Sequence, residues 1–134
     1  MVRRIRRLKS GRRKASSMAW NNRGLAYFQK KSYSKALSDF NKAIQLNPQY
    51  ANAYNNRGLT YFNRKDYDKA IADFNKAVQL NPDLAVAYNN RAHAYFQKKS
   101  YTKALEDVQR AQQLKFPVHK ELTDNLKKPS GKKK

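Results

Sequence analysis

Three arginines, Arg23, Arg57 and Arg91, stand 34 residues apart, and each is followed sixteen residues later by an aspartate: Asp39, Asp73 or Asp107. The planar guanidinium fork matches the two oxygens of a carboxylate, so this spacing can close three ion pairs inside a fold. The same arginines could instead form a row that faces a ligand. Pairing is the expected arrangement, because an arginine on a helix interface covers it with its methylene stem while its head must find a partner.

The remaining charge sits at the ends. Lys plus Arg 30 against Asp plus Glu 9 gives +21, of which residues 1–16 carry +8 and residues 119–134 carry +4. Arg3, Arg4, Arg6, Arg7, Lys9, Arg12, Arg13 and Lys14, with Lys132, Lys133 and Lys134, are the candidate phosphate contacts. Such a density attracts polyanions, whose condensed counterions are released on contact; simple solvation of a lysine-rich surface, or an acidic membrane or acidic protein as partner, are the alternatives. Chemistry of other kinds finds little support. His93 and His119 are the only histidines and have no regular spacing to carboxylates. Four scattered glycines make no phosphate loop, and Asp66 and Asp68 lack the dense oxygen set of a calcium loop. Without cysteine there is no disulfide framework, thiol catalysis or cysteine-ligated zinc. No enzyme, cofactor or metal site is expected.

What must position the arginines is a repeat. Ala51 to Leu84 matches Ser17 to Tyr50 at 21 of 34 positions, and Ala85 to Val118 continues the outline without a gap. Within each unit small and apolar residues recur three and four apart: Ala53, Tyr54, Gly58, Tyr61 and Phe62, then Tyr67, Ala70, Ile71, Phe74, Ala77 and Val78. That spacing predicts two amphipathic helices joined by a tight turn. Asn81-Pro82 ends the second, because the proline ring excludes helical geometry at the preceding residue. The units occupy 17–50, 51–84 and 85–118. Burial in such an array comes from stacking neighbours, and about three units suffice for stability. After Leu114 the period breaks at Lys115-Phe116-Pro117, and Val118, Leu122 and Leu126 predict a short capping helix over 119–128, with Pro117 suited to its start. Pro129 and Gly131 then end it ahead of a lysine-rich tail, 129–134. The basic arm 1–16 is expected to be disordered alone, with Gly11 interrupting any short helix induced by a partner.

The repeated residues resemble the tetratricopeptide repeat family. Its order of a large aromatic, a small residue, Tyr, Ala, aromatic, Ala and Pro appears as Trp20, Gly24, Tyr27, Ala36, Phe40, Ala43 and Pro48. It returns as Tyr54, Gly58, Tyr61, Ala70, Phe74, Ala77 and Pro82, and then as Tyr88, Ala92, Tyr95, Ala104, Val108 and Ala111, with Pro117 one place late. The resemblance implies an all-α, right-handed superhelical solenoid of helix-turn-helix units. It also implies a concave groove lined by the first helix of each pair, here by Asn21, Asn22, Leu25 and Phe28; Asn55, Asn56, Leu59 and Phe62; and Asn89, Asn90, His93 and Phe96. Asn22, Asn56 and Asn90 resemble the asparagine ladder with which some members hold an extended peptide by its backbone, although asparagines there can also bond between neighbouring helices. Members that hold acidic chaperone tails use lysines, an arginine and asparagines at positions occupied here by Asn21, Leu25, Asn56, Val86 and Asn90. Only Asn56 agrees, so a chaperone-tail adaptor is not expected. The arginines themselves depart from the family, which places leucine there.

These readings converge on a non-enzymatic scaffold that takes a peptide or helix of a partner protein in its groove while its basic ends anchor it to RNA or a ribonucleoprotein. Direct RNA binding by the tails and basic repeat surface is one rival; a consensus-like array with no dedicated ligand is another. No apolar run approaches the roughly 20 residues of a membrane span. The expected compartment is the cytoplasm, with nuclear or organellar addressing by the basic N-terminus as the alternative. Arg12-Arg13-Lys14-Ala15-Ser16 also resembles a basophilic kinase site.

Overall fold

A computed structural model describes residues 2–127, with side chains from Lys9 onward. Among the described residues there are seven helices and no strand: α1 Val2–Gln29, α2 Tyr33–Leu46, α3 Ala51–Asn63, α4 Tyr67–Leu80, α5 Ala85–Gln97, α6 Tyr101–Gln113 and α7 Lys120–Lys127. Helices α1 with α2, α3 with α4 and α5 with α6 form antiparallel hairpins, and each hairpin packs on the next.

The turns repeat as faithfully as the helices. Lys31, Lys65 and Lys99 adopt left-handed backbone, with φ of 63°, 65° and 64°. In the first turn Ser32 N–H donates to the Tyr27 carbonyl at 2.9 Å and Lys31 N–H to the Phe28 carbonyl at 2.9 Å, the paired bonds that close a helix and reverse the chain. The outer helices α2 and α4 stop before an Asn-Pro step, where the asparagine side-chain carbonyl accepts an amide two residues on: Gln49 N–H to Asn47 at 3.2 Å and Asp83 N–H to Asn81 at 3.1 Å.

The largest buried side chains of the core come from the outer helices. Phe40, Phe74 and Val108 are buried with Ala36, Ala43, Ala70, Ala77, Ala104 and Ala111. Gly24 and Gly58 face the two rings so closely that an added Cβ would lie 2.6 Å from Phe40 Cε1 and 2.7 Å from Phe74 Cε1. In the third unit both partners change: Ala92 supplies the methyl and Val108 replaces the ring.

One expectation gives way to the structure. The described part of the arm, Val2 to Ser16, is helical, because α1 runs unbroken from Val2 through Gly11 to Gln29. The segment from Ser17 onward is anchored by packing, including a buried bond of 2.9 Å from the Ser17 hydroxyl to the Ala43 carbonyl. Extending an existing helix through Arg, Lys and Ala needs no new nucleus, and one exposed glycine costs only about 1 kcal/mol against that. The capping helix, expected over 119–128, spans Lys120–Lys127 among the described residues. Lys115 takes the left-handed turn, 116–119 run without helix, and α7 begins at Lys120 with the His119 Nδ1 accepting the Glu121 amide at 3.2 Å. Its Leu122, Leu126 and the preceding Val118 cover Ala92, Ala104, Val108, Tyr95 and Phe96. The tail 129–134, with Pro129, Gly131 and Lys132, Lys133 and Lys134, lies outside the described residues.

Candidate functional site

All three arginines pair within their own hairpins. Arg23 Nε and Nη2 donate to the two Asp39 oxygens at 2.8 and 2.9 Å, Arg57 to Asp73 at 2.8 and 2.7 Å, and Arg91 to Asp107 at 2.8 and 2.7 Å. The arginines therefore do not form an unpaired row along the groove. The aspartates are buried, which pushes the Asp73 and Asp107 carboxyls upward, and the facing guanidinium pulls each back down. Hydrogen bonding to the carboxylates in turn holds Arg57 and Arg91 above the ordinary arginine value.

Each interior arginine also reaches into the preceding unit. Arg57 Nη1 donates to Asn41 Oδ1 and Arg91 Nη1 to Asn75 Oδ1, both at 2.9 Å. One side chain thus pins an inner helix to its own outer helix and to its neighbour's. The role of Asn41 and Asn75 was not read from the sequence. Their shared place in the period was the available signal, but nothing in a linear pattern says which face of a neighbouring helix they meet.

The asparagine pairs are used in the same way. Asn56 Nδ2 donates to Asn21 Oδ1 at 2.9 Å, and Asn90 Nδ2 donates to Asn55 Oδ1 at 3.1 Å. Asn21 also donates to the Tyr50 hydroxyl at 3.2 Å. Asn21, Asn55 and Asn90 are buried, while Asn56 is half-buried and Asn22, with no preceding hairpin, is exposed. Asn89 Oδ1 is buried without a partner among the described residues, the acceptor that a following asparagine would meet. The second member of each pair therefore ties one unit to the one before it.

The inner helices leave open both polar side chains, Asn22, Gln29, Asn52, Asn63 and Gln97, and a set of less polar ones. Leu25, Phe28, Leu59, Phe62 and His93 are all partly exposed. The Phe28 and Phe62 rings lie against Tyr33 and Tyr67 of the outer helices at centroid distances of 5.7 and 5.4 Å, and His93 stands edge-on to Phe62 at 6.4 Å. Such tilted contacts hold the rings in place. Phe96 is drawn partly into the cluster beneath α7. Burial lowers the His93 pKa below its ordinary value near 6.5, and the charge of His119 lowers it further. No group of three or more His, Asp or Glu side chains among the described residues could hold a metal ion. Lys9, Arg12, Arg13 and Lys14 are exposed along α1; Arg3, Arg4, Arg6 and Arg7 belong to the same helix.

Comparison with known proteins agrees with this architecture. Residues 51–84 and 85–115 match the family described as tetratricopeptide repeat, and residues 24–64 match the TPR repeat description. The chain belongs to the tetratricopeptide repeat family. Among solved structures, the first TPR of Spaghetti (RPAP3) bound to the HSP90 peptide SRMEEVD is similar with a TM-score of 0.80 and 29% identity, over 88% of this chain and 93% of that one. The Arabidopsis OM64 TPR domain gives a TM-score of 0.83 at 25% identity over 87% and 98% of the two chains. MamA gives 0.71 at 30% identity over 75% of this chain and 58% of that one. No curated protein matches the sequence. As an all-α TPR solenoid, this chain is built like domains that hold peptides, and no helix among its described residues is long and apolar enough to cross a membrane.

Proposed function

We propose that this TPR array is a non-enzymatic scaffold that holds an extended segment or helix of a partner protein along Leu25, Phe28, Leu59, Phe62 and His93. The observation that carries this reading is the partial exposure of these apolar side chains on successive inner helices, with the rings of Phe28 and Phe62 held in place by outer-helix tyrosines. The likeness to a TPR domain bound to an HSP90 peptide supports such a use of the fold. The partner's chemistry differs from that peptide's. Val86 and Leu25 supply no charge, and Asn21, Asn56 and Asn90 already bond across units. A segment with apolar side chains fits better than an acidic C-terminus, and backbone recognition falls to what Asn56 leaves unused and to the exposed Asn22. The cations of α1 and of the C-terminal tail would add an RNA or ribonucleoprotein anchor.

Two titrations test the two parts. Screened on an array of fifteen-residue peptides, the full chain should select apolar segments, lose them on Phe62→Ala, and ignore SRMEEVD at physiological salt. Saturable SRMEEVD binding that Asn56→Ala abolishes would reverse the partner assignment. For RNA, replacing Arg12, Arg13 and Lys14 by glutamine should reduce the log–log salt slope by about 0.7–0.9 for every phosphate these side chains had neutralised. An unchanged slope would remove α1 as the anchor.

A further inference from the structure

The two ends of the array are finished differently. At the C-terminal end α6 places Gln109 and Gln112 where α2 has Asn41 and Ile44 and α4 has Asn75 and Val78, and α7 covers the hairpin. At the N-terminal end the first inner helix keeps the chemistry of an interior contact, with no described residue covering it. Ala53 and Thr60 of α3, and Ala87 and Ala94 of α5, are 0% exposed beneath the preceding hairpin, whereas their counterparts Ala19 and Ala26 of α1 are exposed. The Arg23 side chain is 57% exposed against 23% for Arg57 and 18% for Arg91. Its Nη1 has no counterpart of the Asn41 and Asn75 acceptors among the described residues. Stacking on Trp20 at 4.9 Å and Tyr27 at 5.5 Å holds the guanidinium in place, and Ala19, Trp20 and Arg23 line a cleft of about 170 Å³.

We propose that this face of α1 docks an acidic amphipathic helix of a partner protein. Twice within the molecule the equivalent face receives an outer helix, with the arginine Nη1 and the second asparagine of each pair donating to it and to the adjoining hairpin. The geometry therefore asks for a helix that brings an amide or carboxylate acceptor opposite Arg23. Charge specifies the rest. Residues 1–38 contain twelve lysines and arginines and no acid, and Arg12 and Ala15 continue the exposed stripe seven and four residues ahead of Ala19. A second copy is a poor occupant: two such faces would set donor against donor and cation against cation, and the opposite end is closed by α7. The surface is separate from the groove and stands whether or not the groove takes a peptide.

Trp20 is the only tryptophan and lines the cleft, so its emission reports occupancy directly. The probe is a stapled copy of α4, Tyr67–Leu80, carrying Lys69→Glu and Lys76→Glu; stapling matters because a helix of that length is marginal alone. Titrated into the full chain at physiological salt, it should give a saturable blue shift. Ala19→Arg and Ala26→Arg, both at exposed positions, should each weaken binding at least about tenfold with the far-ultraviolet circular dichroism unchanged. The added arginines discriminate, since attachment by charge alone would be strengthened by them. No saturable shift, or undiminished binding by both variants, overturns the proposal. So does an oligouridine that displaces the probe and shifts Trp20 in a manner the two variants abolish, an outcome that would assign the face to RNA.

Discussion

At the scale of single residues, Gly58 and Phe74 show how closely this fold is packed and how it compensates. The missing Cβ of Gly58 is occupied space, because an ideal Cβ would fall 2.7 Å from the Phe74 ring and 3.1 Å from the Ala70 carbonyl. The ring is fully buried and cannot swing aside cheaply. Gly58→Ala should therefore destabilise the chain by about 1–3 kcal/mol, despite the better helix propensity of alanine. Phe74→Val alone leaves a void and should also destabilise. The two together reproduce the Ala92–Val108 pair of the third unit, so the double variant should be clearly more stable than the sum of the single effects. Chemical denaturation of the four forms closes the cycle, and strict additivity would mean that the two sites do not share their space.

At the scale of elements, the joint between α5 and α7 carries a pH dependence whose sign can be worked out. The folded-state pKa of His93 is lowered, first by burial and then by His119. A base with a lowered folded value binds protons more readily when unfolded, so its contribution to stability is complete above its ordinary value near 6.5 and is lost as pH falls through the lowered folded value. Between about pH 7.5 and 5 the unfolding free energy should decline, and His93→Leu, which installs the residue found at Leu25 and Leu59, should flatten that decline. An equally steep decline in the variant would place the titrating group elsewhere.

At the scale of the whole molecule, the ties between hairpins make this a one-dimensional structure. Unit one holds unit two through Asn41–Arg57 and Asn21–Asn56, and unit two holds unit three through Asn75–Arg91 and Asn55–Asn90. In such an array each interface contributes its own stabilisation, and damage at one stays near it. Asn41→Ala removes an exposed Arg57 hydrogen bond whose donor water can then take, at a cost of about 0.5–1 kcal/mol. Hydrogen exchange should then show reduced protection concentrated in α1 and α2, with α5 and α6 nearly unaffected. Protection that falls evenly over all six helices would show instead that the hairpins unfold as one cooperative body.

How much of this was legible beforehand follows from the range of the interactions. A period of 34 residues with apolar positions three and four apart determines six paired helices, their turns and their stops, because those depend on neighbours within a few residues. It also determines the partnership of each arginine with an aspartate sixteen residues on, because one hairpin brings them together. The use of the asparagines lay beyond it. Asn56 reads equally well as a peptide clamp or an inter-helix tie, and only the placement of one hairpin on another, which sets Asn21 2.9 Å from its amide, shows that the tie is made. The same stacking distinguishes Arg23 from Arg57 and Arg91, which share a place in the period and a preceding Asn-Asn but are covered or bare according to what lies beside them. Helix continuity through Gly11 was likewise a matter of the packed segment below it, since nucleation at Ser17 and beyond makes the basic extension easy to form. Local pattern determined the units; the contacts between units decided which polar groups are committed to the fold and which are left to meet a partner.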